Sequence, residues 1–352
     1  MDKRSISLRF AAALVALLLA SNLGVSAETA APASAGSPAS PQAPQSALPP
    51  KIDPRADQLL SRSCEDLGSS KAFTRAAATF RRSLMKEESA FLSQARSWDA
   101  FYAEAQVAEF RRRLYLETFG EEYPADEATD GYITRSELRE MVGALHVGPG
   151  QKIADLGCGR GGPGQWIAGV TGAALVGIDF STVALEQARG RGRRLGITSS
   201  YRSGSFDATG LDPASVDGAL SIDVIWAIPD KRAGFAETAR ILRPGARFVF
   251  TDWERDLSPP GYPAPVSDHR PLLEATGFEV ERRQLWPHAD AMRRAFYEKM
   301  LAQQDELMRV LDEKTAESNL REARAWLGLL DGVDYMQHSR RVLVAARKIA
   351  KK

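Results

Sequence analysis

The chain has 352 residues, 44% of them hydrophobic and 26% charged, with 46 basic against 45 acidic side chains for a net charge of +1. That is the composition of a globular protein, long enough to bury one large domain with additions. Near-neutrality gives no electrostatic basis for a nucleic-acid or anionic-membrane partner. Two cysteines, Cys64 and Cys158, make neither a disulfide framework nor a zinc site.

At the amino terminus Lys3, Arg4 and Arg9 flank or precede an apolar run from Phe10 to Ala20, and Val25-Ser26-Ala27 forms a small-residue cleavage site. Residues 1–27 therefore read as a secretory signal peptide, with an apolar core too short to anchor in a bilayer. Export to the periplasm or beyond is expected, with no membrane span left after its removal. Residues 28–50 are Ala/Pro/Ser-rich and almost uncharged, which predicts a disordered linker. Residues 51–84 look helical and carry no identifiable chemistry. From Met85 the texture changes, and a functional start there would instead give a cytoplasmic protein.

Residues 85–135 are expected to form a helical cap. Phe91, Trp98, Phe101, Tyr102, Ala105 and Phe110 recur at three- and four-residue steps, as one amphipathic helix requires. Its aromatics would form a core face or cover a ligand. Over 136–352, helical segments alternate with short apolar runs. A helix over 136–145 ends at Gly148-Pro149-Gly150, followed by strand 152–156 and a helix from Gly162. Then come strand 174–178, helix 181–194, strand 200–202, strand 218–222, helix 231–242, a turn at Pro244-Gly245, and strand 247–251. A helix over 267–276 precedes strand 278–285, a helical insertion at about 289–330 with Phe296, Met300, Leu307 and Leu311 on one stripe, and a last strand over 340–346. Alternation of this kind predicts an α/β domain, a mostly parallel sheet of seven strands with helices on both faces. Ligands then sit at the carboxyl ends of the strands.

The richest segment is Ile153-Ala-Asp155-Leu-Gly157-Cys158-Gly159-Arg-Gly161-Gly162-Pro-Gly164, an apolar strand turning into a helix through closely spaced glycines. It satisfies the G-x-G-x-x-G dinucleotide pattern, and Asp179 lies 22 residues beyond Gly157, where a ribose-binding acid belongs. Asp155 tips the balance between cofactors. A carboxylate there would repel a pyrophosphate but suits a ligand bearing an ammonium and a sulfonium, as S-adenosylmethionine does. The adjoining helix amino terminus can face that ligand's carboxylate.

With these residues the chain resembles the class I S-adenosylmethionine-dependent methyltransferases, closest to bacterial small-molecule types. The first motif is Asp155 to Gly161, and Val176-Gly-Ile-Asp179-Phe180-Ser181 resembles the second strand end. Ser205-Phe206-Asp207 resembles the segment whose acid takes the adenine amino group, and Val216 to Asp223 and Leu242 to Phe250 resemble the strands that follow. The resemblance covers about 120–350 and implies a Rossmann-like fold, S-adenosylmethionine as cofactor, and a lid formed by the helical insertion. Asp155, Gly157, Cys158, Gly159, Gly161, Asp179, Phe180, Phe206 and Asp207 would hold the cofactor. No metal is expected.

Asp223, Trp226 and His269 are the candidates to face a small-molecule acceptor, although Asp223 could instead cap a turn and Trp226 pack. His269 and His288 are otherwise surface histidines. Tyr132 would either cover the methionine end of the cofactor, its ring favouring a cation, or simply pack. Arg191, Arg193 and Arg194 read as a solvated helix face. Two alternatives stay open, an NAD-dependent oxidoreductase on a dinucleotide fold and an exported cofactor-binding protein without turnover. Neither the acceptor nor the oligomeric state is legible.

Overall fold

The strands are β1 (Lys152–Leu156), β2 (Ala174–Asp179), β3 (Ser199–Ser203), β4 (Val216–Ile222), β5 (Leu242–Arg255), β6 (Phe278–Leu285) and β7 (Ser339–Lys348). They form one sheet in the order β3-β2-β1-β4-β5-β7-β6. β1 to β5 run parallel, and β7 is antiparallel to both β5 and β6. This computed structural model describes residues 95–350 apart from Ser97. The chain divides into two compact units, 1–87 and 88–352, and every described residue belongs to the second. The expected signal peptide, the expected linker and the 51–84 segment lie outside the described residues.

Alternation along each strand sends neighbouring residues to opposite faces. Phe248 and Phe250 of β5 point to the face covered by α5 (Lys231–Ile241) and α6 (Arg270–Ala275), joining Ile178, Phe206, Phe235, Leu273 and Phe278. Val249 points the other way, with Ile153, Leu175 and Leu220, against α2 (Arg135–Leu145) and α3 (Gly162–Thr171). α4 (Thr182–Leu195) links β2 to β3. A third cluster joins α1 (Ala105–Phe119) to the insertion, which is three helices, α7 (Pro287–Ala302), α8 (Gln304–Val310) and α9 (Glu313–Trp326). Phe296, Met300, Leu307 and Leu311 all lie in it, as their stripe predicts.

Three expected elements differ. The cap helix breaks at Glu104, whose ψ of 86° is not helical, leaving helical turns at 98–103 before α1. Pro244-Gly245 does not separate a helix from a strand. β5 starts at Leu242 and passes through it as an irregularity, with Leu242 opposite Val216 and Arg247 opposite Gly218. The helix expected over 267–276 spans only Arg270–Ala275. No helix among the described residues is long and apolar enough to cross a membrane.

Candidate cofactor and acceptor site

β1 delivers the chain into a turn whose backbone only glycine adopts easily: Gly157, Gly159 and Gly161 have φ of 76°, 49° and 78°. The turn is stitched to β2, because the Gly157 and Cys158 amides both donate to the Ile178 carbonyl, at 2.8 and 3.0 Å. No side chain caps the amino terminus of α3. Close approach matters as much as φ. A Cβ on Gly162 would stand 1.2 Å from the Glu127 carbonyl oxygen, and one on Gly157 would stand 2.6 Å from the Val224 side chain. Cys158 is buried and free, with its thiol pushed up by burial.

Two carboxyls flank this turn. Asp155 is buried on β1, close to Gly164, and its carboxyl is pushed up to about 8 by burial and then by the charge of Asp179. Asp179 ends β2, where Oδ2 accepts from the Gly159 amide and Oδ1 from the Ser181 amide, each at 2.8 Å. Burial raises it too, opposed by those bonds. Phe180 adds a third backbone bond, and the acceptor capacity that remains on the carboxylate is available to a ligand hydroxyl. Phe180 beside it is half-buried. Phe206 packs in the core 6.3 Å from the Phe248 ring, while Asp207 is exposed and accepts from the Ser205 hydroxyl at 2.5 Å. The structure therefore gathers Asp155, Asp179 and the glycines at one place and puts Phe206 under the core.

Residues far off in sequence complete this place. Tyr102 stands over the turn, its hydroxyl 2.7 Å from where a Cβ on Gly159 would be. Its phenol is held well above the usual range by burial and then by Asp179. Gln187 donates to the Tyr102 carbonyl at 3.1 Å, and Asp99 accepts from the Ser181 hydroxyl. Arg160, inside the turn, forms a forked pair with Asp130. Arg191 is no part of a solvated face, since it pairs with Glu127 at 2.9 Å, whereas Arg193 and Arg194 are exposed. The aromatic spacing of the cap points to Tyr102, but no local pattern marks Asp99 as a partner of Ser181 or Asp130 as a partner of Arg160.

On the acceptor side, Asp223 has a φ of 59°, unusual for a side chain other than glycine. Its carboxylate accepts from the Tyr132 amide at 2.7 Å, from the Thr251 hydroxyl at 3.3 Å and from Arg341, which also bonds Glu137 at 2.8 Å. Trp226 donates its indole N–H to the Asp223 carbonyl at 2.9 Å and lies half-buried beside Tyr262. His269 is neither a surface residue nor open to a ligand. Its ring is fully buried against Phe235 and Phe250, with Nε2 3.1 Å from Asp252 Oδ2. Neither ring nitrogen makes a hydrogen bond, and Asp252 is the buried carboxylate beside the ring. His288 is exposed. The cation beside Tyr132 belongs to the protein, with the Arg293 guanidinium carbon 5.6 Å from its ring. No cluster among the described residues could hold a metal.

Residues 154–250 match the family described as a methyltransferase domain. The chain is 35% identical over 122 residues to 24-methylenesterol C-methyltransferase 2 of Arabidopsis thaliana, covering 34% of each protein. It is 33% identical over 174 residues to Methyltransferase GfsG of Streptomyces halstedii, covering 46% of this chain and 61% of that one. The chain thus spans about a third of the length of the sterol methyltransferase. Its fold is that of phosphoethanolamine N-methyltransferase 2 of Haemonchus contortus, with a TM-score of 0.53 at 19% identity over 71% of this chain and 60% of the other. Residues 154–250 thus match a methyltransferase domain, and with its strand order, glycine turn and acid pair the chain is similar to the S-adenosylmethionine-dependent methyltransferases of Rossmann-like fold.

Proposed function

We propose that the protein transfers a methyl group from S-adenosylmethionine to a small-molecule acceptor. The observation that carries this is the buried pair Asp155 and Asp179 on either side of a glycine turn whose helix has no side-chain cap. Such a place suits a ligand with a cationic end, a carboxylate and ribose hydroxyls. It does not suit a dinucleotide, whose pyrophosphate would lie against Asp155.

When bound, the cofactor supplies a methyl group made electrophilic by its sulfonium. Asp179 would hold the ribose hydroxyls, Asp155 the ammonium, and the backbone at the start of α3 the carboxylate. Tyr102 and the cap around it keep water from the turn. Asp223 is engaged by Arg341 and Tyr132, and His269 is sealed, so neither is given the role of base. The first test is calorimetric titration of S-adenosylmethionine into the full chain and into Asp179→Ala. A loss of about 1.5–3 kcal/mol is expected from removing a charge-assisted hydrogen bond. Equal affinity in both proteins would refute the role of Asp179, and labelled-methyl transfer into a small-molecule extract then tests turnover.

A further inference from the structure

Two arginines are buried beside one indole without a carboxylate to pair with. Arg255 ends β5 and Arg293 lies on α7, with 3% and 4% of their surfaces exposed. The guanidinium carbon of Arg293 lies 4.1 Å from the Trp326 ring centroid and 4.4 Å from that of Trp253, and that of Arg255 lies 5.5 Å from Trp326. Among the described residues neither makes an ion pair, and the Nε of each is buried without an acceptor. Arg293 donates Nη1 to the Ser339 hydroxyl over a long 3.3 Å and also bonds the Tyr297 hydroxyl, which is uncharged.

Other buried or partly buried arginines behave differently. Arg341 has both Glu137 and Asp223, and Arg283 has Glu254. Near Arg255, Lys231 adds another positive charge and donates only to the Ile228 and Trp226 carbonyls, at 3.1 and 3.4 Å. Asp252 is the buried carboxylate that acts on Arg255 and Lys231, with Oδ1 taken by the Trp226 amide and Oδ2 without a hydrogen-bond partner. Glu322 and Asp290 act on Arg293 from outside ion-pair distance and are bonded to the Tyr297 hydroxyl and the Arg341 amide. Burial holds the Arg255 guanidinium below its ordinary range, with Asp252 opposing and Arg293 adding repulsion. Ring faces attract a cation but carry no formal charge, and a buried ion left unpaired costs several kcal/mol. The set, Arg255, Arg293 and Lys231, carries more positive charge and more donors than the Asp252 carboxylate beside it can take, which is the chemistry of an oxyanion site.

Its position fits an acceptor. The ring of Tyr132 borders Arg293, its amide binds Asp223, and Val224 next along the chain packs on Gly157 of the cofactor turn. We propose that Arg255 and Arg293 bind an oxyanion group, a phosphate or a carboxylate, carried by the small molecule that is methylated. Calling the ligand the acceptor rests on the methyltransferase function proposed above; the anion site itself does not.

The test is thermal melting and calorimetry of the full chain with inorganic phosphate, pyrophosphate or acetate, each against sodium chloride of equal ionic strength. A rise in melting temperature with at least one anion is expected. A response to the phosphates alone assigns a phosphate group, and a response to acetate alone a carboxylate. Arg255→Met and Arg293→Met should each weaken that binding at least about tenfold, as loss of a charge-assisted hydrogen bond requires. No response beyond chloride in the unaltered protein, or unchanged anion affinity in both folded variants, overturns the site. Anion binding without S-adenosylmethionine binding would keep the site and overturn the proposed function. Cofactor binding with no anion response would do the reverse.

Discussion

The Asp99 carboxylate accepts a hydrogen bond from the Ser181 hydroxyl at 2.7 Å and another from the Val183 amide at 3.1 Å, which fastens the cap to the turn after Asp179. Ser181 in turn caps α4 by accepting from the Ala184 amide at 3.1 Å. An anion at a helix amino terminus is also favoured by the aligned peptide dipoles. The bond therefore joins a segment some eighty residues away to the strand end that presents Asp179.

Asp99→Ala should release Tyr102 from above Gly159 while leaving the sheet intact. The expected outcome is about a tenfold weaker affinity for S-adenosylmethionine, roughly 1.4 kcal/mol, with little change in the unfolding midpoint. Calorimetry and urea denaturation measure the two. Equal loss in both would mean that Asp99 supports the fold and not the cofactor turn.

Asp155 gives a pH dependence. Its carboxyl is pushed up to about 8, whereas an unfolded aspartate titrates near 3.9. Between those values the native state keeps a proton that the unfolded chain has lost. Stability of the ligand-free protein should therefore fall as pH rises from about 4 to about 8, by at most roughly 1.4 kcal/mol per unit, and level off above. Asp155→Asn is neutral throughout and should lack this contribution to the slope. A cationic ligand favours the ionised carboxylate, so cofactor binding near neutral pH should release up to about one proton. Titrations in two buffers of different ionisation heat measure that release.

How much was legible follows from how local each feature is. β1 and β6 fall where their apolar runs and alternation predict, since those signals lie within a few residues. Asp155, the glycines and Asp179 are readable for the same reason. Pro244-Gly245 misleads because a positive φ at Gly245 serves an irregular strand as well as a turn. Asp99, Asp130 and Arg341 are invisible as site residues because their partners are distant in sequence. Arg293 lies in a charged helical run where no local pattern singles it out, yet Trp253 and Trp326 close over it.

Arg341 is where stability concentrates. It is fully buried on β7 and bonds both Glu137, which closes the capping box at the start of α2, and Asp223 at the end of β4. Arg341→Met would leave two buried carboxylates unpaired, a loss on the order of 3–5 kcal/mol. Replacing all three with apolar residues of similar size should recover much of it. Urea denaturation of the single and triple variants makes the comparison, and a neutral single variant would show that these charges are relieved by solvent.

The residues seen on the cofactor turn also bear on where the working protein begins. Asp99 and Tyr102 hold the turn and both follow Met85, while residues 1–27 have the layout of a secretory signal. A protein of residues 85–352 should therefore bind S-adenosylmethionine as tightly as the full chain, within about twofold, or roughly 0.4 kcal/mol. Loss of binding on removing 1–84 would assign that segment a part in the site. Sequencing the amino terminus of the protein isolated from its native cells gives the second half of the test. A start just after Ala27 means that export precedes any methylation, whereas a start near Met85 places the enzyme where its cofactor is made.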